Sequence, residues 1–194
     1  MSQQSLEPFL DFFLYEQGVF VEVNGTMHKA LIKNTTESIQ YYNDKYLFGK
    51  FEIQTGDYVK IVDRNDTYLV VSDIDKRTNH NKVRLKKCNQ ILVKEKPGEK
   101  VIIGYDDFGR PIYSTSAPIF ISYLSIVENT VLDIETGYPI VVPENELVAL
   151  VHESDETLQE FSLGEVFTVL NKTYQVIGID RFKTGLLYIK AARN

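Results

Sequence analysis

From Gly18 onward, nearly everything reads as apolar and polar residues alternating with a period of two, the spacing of half-buried strands. Only the start differs. In residues 5–14, Leu6, Phe9, Leu10 and Phe13 fall on one helical face behind Ser5 as a cap, which predicts a short N-terminal helix. The run Gly18–Val23, the pair Asn24-Gly25 and the run Thr26–Ile32 predict a hairpin, because both turn residues tolerate positive φ. Residues 35–49 are polar and tyrosine-rich, and predict a long connection or a weak hairpin around Asn43-Asp44. A strand, a turn at Arg64-Asn65-Asp66 and a second strand follow, then one strand or two over Asn81–Lys94.

Pro97-Gly98 breaks the pattern. Beyond it lie Val101–Ile103, a turn at Asp106–Pro111 and the run Ile119–Leu124. Next come a hairpin at Asp133–Pro139, a strand at Leu147–His152, one helical turn in Glu153–Gln159 and two closing hairpin units. No segment is long enough to serve as a βαβ crossover. The expected fold is all-β: mainly antiparallel hairpins in small barrel or sandwich modules, with a short N-terminal helix. The break at Pro97 divides it into residues 1–96 and 97–194.

Two stretches echo each other. Gly56-Asp57, Thr67-Tyr68 and Ile74-Asp75 recur as Gly164-Glu165, Thr173-Tyr174 and Ile179-Asp180. Shared hairpin grammar explains this, and so do two related β modules whose Tyr packs inward.

Composition narrows the chemistry. Cys88 is the only cysteine, so neither an internal disulfide nor a cysteine zinc site is available. His28, His80 and His152 are scattered rather than spaced as metal ligands. Asp73-Ile74-Asp75 opens like a calcium loop, but Arg77 and Thr78 occupy the next ligand and turn positions. No phosphate-binding glycine loop and no Gly-x-Ser-x-Gly elbow is present. Lys86 and Lys87 would lower the pKa of Cys88, yet a nucleophile also needs a positioned base. Asp106 and Asp107 are adjacent, which on a strand sends them to opposite faces. The four Asn-x-Thr sequons, at Asn24, Asn34, Asn65 and Asn171, mostly mark turns. The expectation is a non-enzymatic protein without cofactor or metal. The first residues lack the signature of a signal peptide and no apolar run reaches membrane-spanning length, so a cytosolic origin and no membrane partner are expected.

Charge is laid out unevenly. Residues 111–171 contain no Lys or Arg but ten carboxylates, among them Glu144 and Glu146. Residues 82–96 carry Lys82, Arg84, Lys86, Lys87, Lys94 and Lys96 against one Glu95. On a strand, Lys82, Arg84 and Lys86 share a face opposite Val83 and Leu85. A solvated strand face with acidic loops accounts for this. So do complementary patches on Lys82, Arg84, Lys86, Lys87, Glu144 and Glu146 that join copies head to tail into a ring, with an acidic wall past which DNA slides.

The order of these pieces resembles phage head–tail joining and head-closure proteins of Gram-positive-infecting phages and prophages. The similarity is carried by Gly18-Val19 with Val23-Asn24-Gly25, Ala30–Asn34, Asn43–Tyr46 and Thr55–Val59. It continues in Tyr68–Ser72, Lys86–Asn89, Val142–Asn145 and Tyr174–Asp180; the segment Pro97–Tyr123 has no counterpart. The resemblance implies a virion protein made in the bacterial cytoplasm. It would form a ring between portal or adaptor and tail proteins, retain packaged DNA without reading its sequence, and carry no catalytic residue. A tail-terminator or tail-completion protein fits the same residues. A cytosolic β-barrel module binding nucleic acid or peptide through Lys82, Arg84, Lys86 and Lys87 is the other class.

Overall fold

The computed structural model describes residues 7–35, 44–77, 79–128, 130–132, 139–141 and 145–194. Helix α1 (Glu7–Gln17) leads into β1 (Val19–Val23), β2 (Thr26–Asn34) and β3 (Lys45–Gly49). Then follow β4 (Tyr58–Ile61), a 3-10 turn, β5 (Asp66–Val70), the short β6 (Asp75–Arg77) and β7 (His80–Lys87). The strands pair antiparallel in the order β3-β2-β1-β4-β5-β7, and β7 returns to β3, closing a six-stranded barrel with β6 outside on β7.

The second half holds β8 (Gln90–Lys96), β9 (Lys100–Tyr105), β10 (Pro111–Thr115), β11 (Ile119–Glu128), β12 (Thr130–Leu132) and β13 (Pro139–Val141). It ends with β14 (Glu146–His152), α2 (Asp155–Glu160), β15 (Val166–Val169), β16 (Lys172–Asp180) and β17 (Leu186–Arg193). Strands β11-β14-β17-β16-β15-β8 close a second barrel. The all-β expectation holds, as does the single helical turn, capped by Ser154. Residues 36–43 and the turn at 133–138 lie outside the described residues, as does Ser5, the expected helix cap.

The boundary expected at Pro97 moves. Strand β8 pairs with β11 and β15, so it belongs to the second barrel and the chain crosses over at Cys88-Asn89. Asn81–Lys94 is accordingly two strands serving different barrels. Pro97-Gly98 is a break within the second barrel, because Pro cannot donate to a ladder.

The two barrels share one topology. Numbering their strands one to six along the chain gives β1, β2, β3, β4, β5, β7 and β8, β11, β14, β15, β16, β17. Each set closes in the ring order 1-4-5-6-3-2. The first two pairs of the sequence echo are structural ones, whereas Ile74-Asp75 leads into the outlying β6 and Ile179-Asp180 lies within β16. Gly56 N–H donates to the Val70 carbonyl and Val70 N–H to that of Asp57; Gly164, Val176 and Glu165 repeat the pattern. Tyr68 is buried, and Tyr174 stacks on Phe167 against the second core. The turn residues Asn24, Asn65 and Asn171 all take positive φ, which explains the asparagines at three sequons.

Each barrel has its own core. Val21, Leu47, Val59, Tyr68, Val83 and Leu85 fill the first; Leu92, Phe161, Phe167, Leu187 and Ile189 fill the second. A third apolar cluster, Leu69, Val71, Ile126, Leu150 and Leu186, lies between them.

Candidate functional site

Strand β7 presents its charges as the alternation predicts, with Val83 and Leu85 buried and Lys82, Arg84 and Lys86 turned outward. The fold engages these cations within the chain. The Lys82 ammonium lies 4.1 Å from the centre of the Tyr46 ring and also faces Phe48. Arg84 sits 3.6 Å from the buried Asp44 carboxylate. Burial raises the pKa of Asp44, although Lys86 and Arg84 oppose it. Lys86 pairs with Glu128 of the second barrel. Lys87 lies 2.6 Å from Asp66, and that hydrogen bond holds its pKa up.

The acidic segment is engaged likewise. Glu146 is 2.9 Å from Lys190, Glu165 pairs with Lys94 and Glu160 with Lys96. Glu144 lies outside the described residues. The structure therefore brings Lys82, Arg84, Lys86 and Lys87 together on one strand and sets Glu146 on β14 of the other barrel. Much of the charge polarity of the sequence becomes ion pairing inside the chain. Strand β7 carries no aromatic residues of its own, but β3 sets Tyr46 opposite Arg84 and Phe48 opposite Lys82.

The joint between the barrels is closely built. Tyr58 Oη donates to the Leu124 carbonyl at 2.6 Å, and burial lifts this phenol to a pKa of about 12. His152 Nδ1 lies 2.9 Å from the Gly56 carbonyl, and Lys183 Nζ donates to the Val71 carbonyl at 3.1 Å. Asn89 donates to the Val127 carbonyl and accepts from Val127 N–H, which clamps the crossover. Cys88 sits beside this joint. Burial pushes its thiol up to about 12, the opposite of the lowering expected from Lys86 and Lys87. Among the described residues, no three His, Cys, Asp or Glu side chains gather as a metal site. No described helix is long and apolar enough to cross a membrane.

Two apolar surfaces of the second barrel stand out among the described residues. One is an open groove of about 490 Å³ lined by Cys88, Ile91, Val93, Leu124, Val169 and Leu170. It lies where β15 meets β8 through the single ladder pair Thr168–Val93. The equivalent seam of the first barrel, β1 with β4, has three pairs.

The other surface is an arm. Strands β9 and β10 pair only with each other and stand away from both cores. Both faces are apolar: Val101, Ile103 and Tyr105 on one, Ile102, Ile112 and Tyr113 towards the other, all exposed. Phe108 at the tip is 84% exposed. The tip turn is firm, because Asp106 Oδ1 accepts the N–H groups of Phe108 and Arg110. This arm occupies the segment that sequence reasoning left without a role. The signals were present: consecutive apolar residues at Val101-Ile102-Ile103 where a half-buried strand would alternate, between breaks at Pro97-Gly98 and Ser116–Pro118.

The same first-to-second-strand connection is made in the first barrel by Asn24-Gly25 alone. The arm is thus not needed to close the fold. Exposed apolar area of this kind marks an interaction surface.

No curated protein and no solved structure matches the chain. Residues 4–87 match the YomX N-terminal domain family and residues 89–192 the YomX C-terminal domain family, so the two matches part at the crossover between the barrels. Together they cover nearly the whole chain, and this protein belongs to the YomX family, a phage-type family.

Proposed function

We propose that this chain is a structural component of the phage particle, acting in the head–tail neck as a connector, head-closure or stopper protein. The observation that carries this reading is the apolar arm on two barrels joined through Tyr58–Leu124, His152–Gly56 and Lys183–Val71 contacts. A two-stranded hairpin is marginal alone in water and gains its stability from a partner. A joint built from hydrogen bonds and a shared apolar cluster suits a load-bearing ring. In this reading the neighbours are further copies of the chain, the portal or adaptor on one side and tail proteins on the other. DNA passes through without sequence-specific contact. The role is architectural, with no catalytic residue, and the site of action is the virion assembled in the host cytoplasm. A tail-terminator or tail-completion position differs only in the station along the axis.

The test is imaging of phage particles made with and without the gene for this chain. Loss should give DNA-filled heads that fail to join tails, or heads that have lost DNA. Infectious, tailed, DNA-filled particles without the protein would sink the neck assignment.

One observation favours a second reading, a nucleic-acid contact on the first barrel. Lys82 and Arg84 lie beside Tyr46 and Phe48 on one outward face, with Lys33 over Phe48. Alternating cations and rings suit a stacking platform for single strands. A salt-sensitive gel shift that is lost in Lys82→Glu/Arg84→Glu would support it, and no shift at low salt would remove it.

A further inference from the structure

We propose that the arm of one copy docks its Phe108 tip into the β8–β15 groove of a second copy, so that the chain assembles head to tail. This deepens the ring-forming reading, and rests on it only for closure of the contacts into a ring.

The geometry begins with the strand pair that carries both surfaces. Strands β8 and β11 pair from Gln90–Ser125 to Lys96–Ile119. The groove lies at the Gln90 end, where Ile91 is opposite Leu124. The arm leaves from the Lys96 end and continues to Tyr105–Pro111. At about 3.3 Å per residue, the tip stands up to about 45 Å from Ile91. Phe108 is 84% exposed, so the tip does not occupy the groove of its own chain.

The two surfaces match in chemistry. The tip offers one rigid aromatic anchor, and aromatic anchors dominate protein interfaces. The groove offers Ile91, Val93, Leu124 and Leu170, with a volume of about 490 Å³. That size falls within the roughly 300–1,000 Å³ of pockets that enclose small ligands. The tip turn carries Asp106 and Asp107 against Arg110, a net charge of −1, and exposed Lys172 follows the groove residue Asn171 in the chain.

Comparison of the two barrels supports both surfaces. The second barrel departs from the first at the first-to-second-strand turn, lengthened into the arm, and at the first-to-fourth-strand seam, which keeps one ladder pair instead of three. A knob and a hole at opposite ends of one strand pair make a heterologous contact, which propagates as a ring or a filament.

The test uses full-length protein in a Cys88→Ser background, so that no native thiol reacts. Arg110→Cys/Leu170→Cys, which keeps the Phe108 anchor, should give a ladder of dimers, trimers and higher species on non-reducing gels after mild oxidation. Mixing the two single variants should stop at dimers. Phe108→Asp should weaken self-association in sedimentation by at least about tenfold, the equivalent of about 1.4 kcal/mol. Replacing residues 97–118 by Asn-Gly should leave a folded monomer, which separates lost docking from lost folding.

Wild-type protein that stays monomeric, or a double-cysteine variant that gives no ladder, overturns the proposal. So do dimers from Arg110→Cys alone, which would mean that arms pair with arms. Protein found in the neck without a tip-to-groove cross-link refutes the docking and leaves the neck role standing. A ladder from a protein absent from particles does the reverse.

Discussion

Alanine at Gly56 probes the joint between the barrels. Gly56 has φ +90° and Gly185 φ +88°. A methyl group on Gly56 would lie 1.8 Å from the Gly185 carbonyl oxygen, and one on Gly185 2.0 Å from that of Thr55. Two costs add. Holding an L residue in the left-handed region costs roughly 1–2 kcal/mol. The clash is with backbone, so no rotamer relieves it, and such overpacking typically costs about 1–3 kcal/mol more. Gly25→Ala separates the two effects: its φ is +78°, and nothing lies within 4 Å of the added carbon. Gly25→Ala should therefore lose about 1–2 kcal/mol and Gly56→Ala about 2–5 kcal/mol. The added displacement also parts His152 from Gly56 and Tyr58 from Leu124, so the barrels should begin to unfold in separate steps. Urea denaturation measures the loss. Hydrogen exchange at Glu153, whose N–H donates to the Gly185 carbonyl, reports the joint itself. If Gly56→Ala falls within about 0.5 kcal/mol of Gly25→Ala, with an unchanged m-value, the close approach of the barrels carries no energy and the reasoning fails.

Three further outcomes follow from the same contacts. Burial holds the Tyr58 phenol and the Cys88 thiol at about 12, against ordinary values of 10.0 and 9.0. Their contribution to stability is complete below the unfolded values and is lost as pH rises through the folded ones, so the denaturation midpoint should fall from about pH 9 upward; Tyr58→Phe/Cys88→Ala should flatten that fall, and an equal slope in both proteins would refute the assignment. Lys94 is buried and paired with half-exposed Glu165 at the β8–β15 seam. Glu165→Gln, which leaves the cation without its partner, should cost about 1–3 kcal/mol in urea, whereas Lys94→Met should cost less or stabilise. Phe161 is fully buried, edge to face with Phe167 and Tyr123, so Phe161→Ala should cost about 3–5 kcal/mol by thermal or urea melting.

The fold was legible because each strand buries one face. Val83 and Leu85 inward with Lys82, Arg84 and Lys86 outward is a period-two pattern that needs no tertiary knowledge to read. Hairpin turns were legible for a local reason too, since Asn at positive φ is a property of its own peptide. The barrel boundary was not. Strand β8 continues the basic composition of β7, and only its pairing with β11 shows that it has changed partners. The fate of the charges was hidden for the same reason. Lys86 and Glu128 are distant in sequence, and read as opposed patches until the joint brings them together. The arm was missed because its residues obey no inward-outward rule: Val101, Ile102 and Ile103 have no core of their own to face.

The paired barrels explain why the departures between them are informative. Two units with one ring order need the same turns, seams and cores to close. In both, a buried apolar residue, Ile53 or Phe161, stands three positions before a left-handed glycine, Gly56 or Gly164, that lies two residues ahead of the fourth strand. Folding constrains such shared features. It does not require residues 97–118, because Asn24-Gly25 performs the same connection in the first barrel. Nor does it require the single ladder pair of the β8–β15 seam, because β1 and β4 make three at the matching one. An arm with apolar faces in water and an apolar groove both expose surface that tends toward association. Features that folding does not need, and that solubility disfavours, are the two surfaces the proposed assembly would use, and both lie in the second barrel.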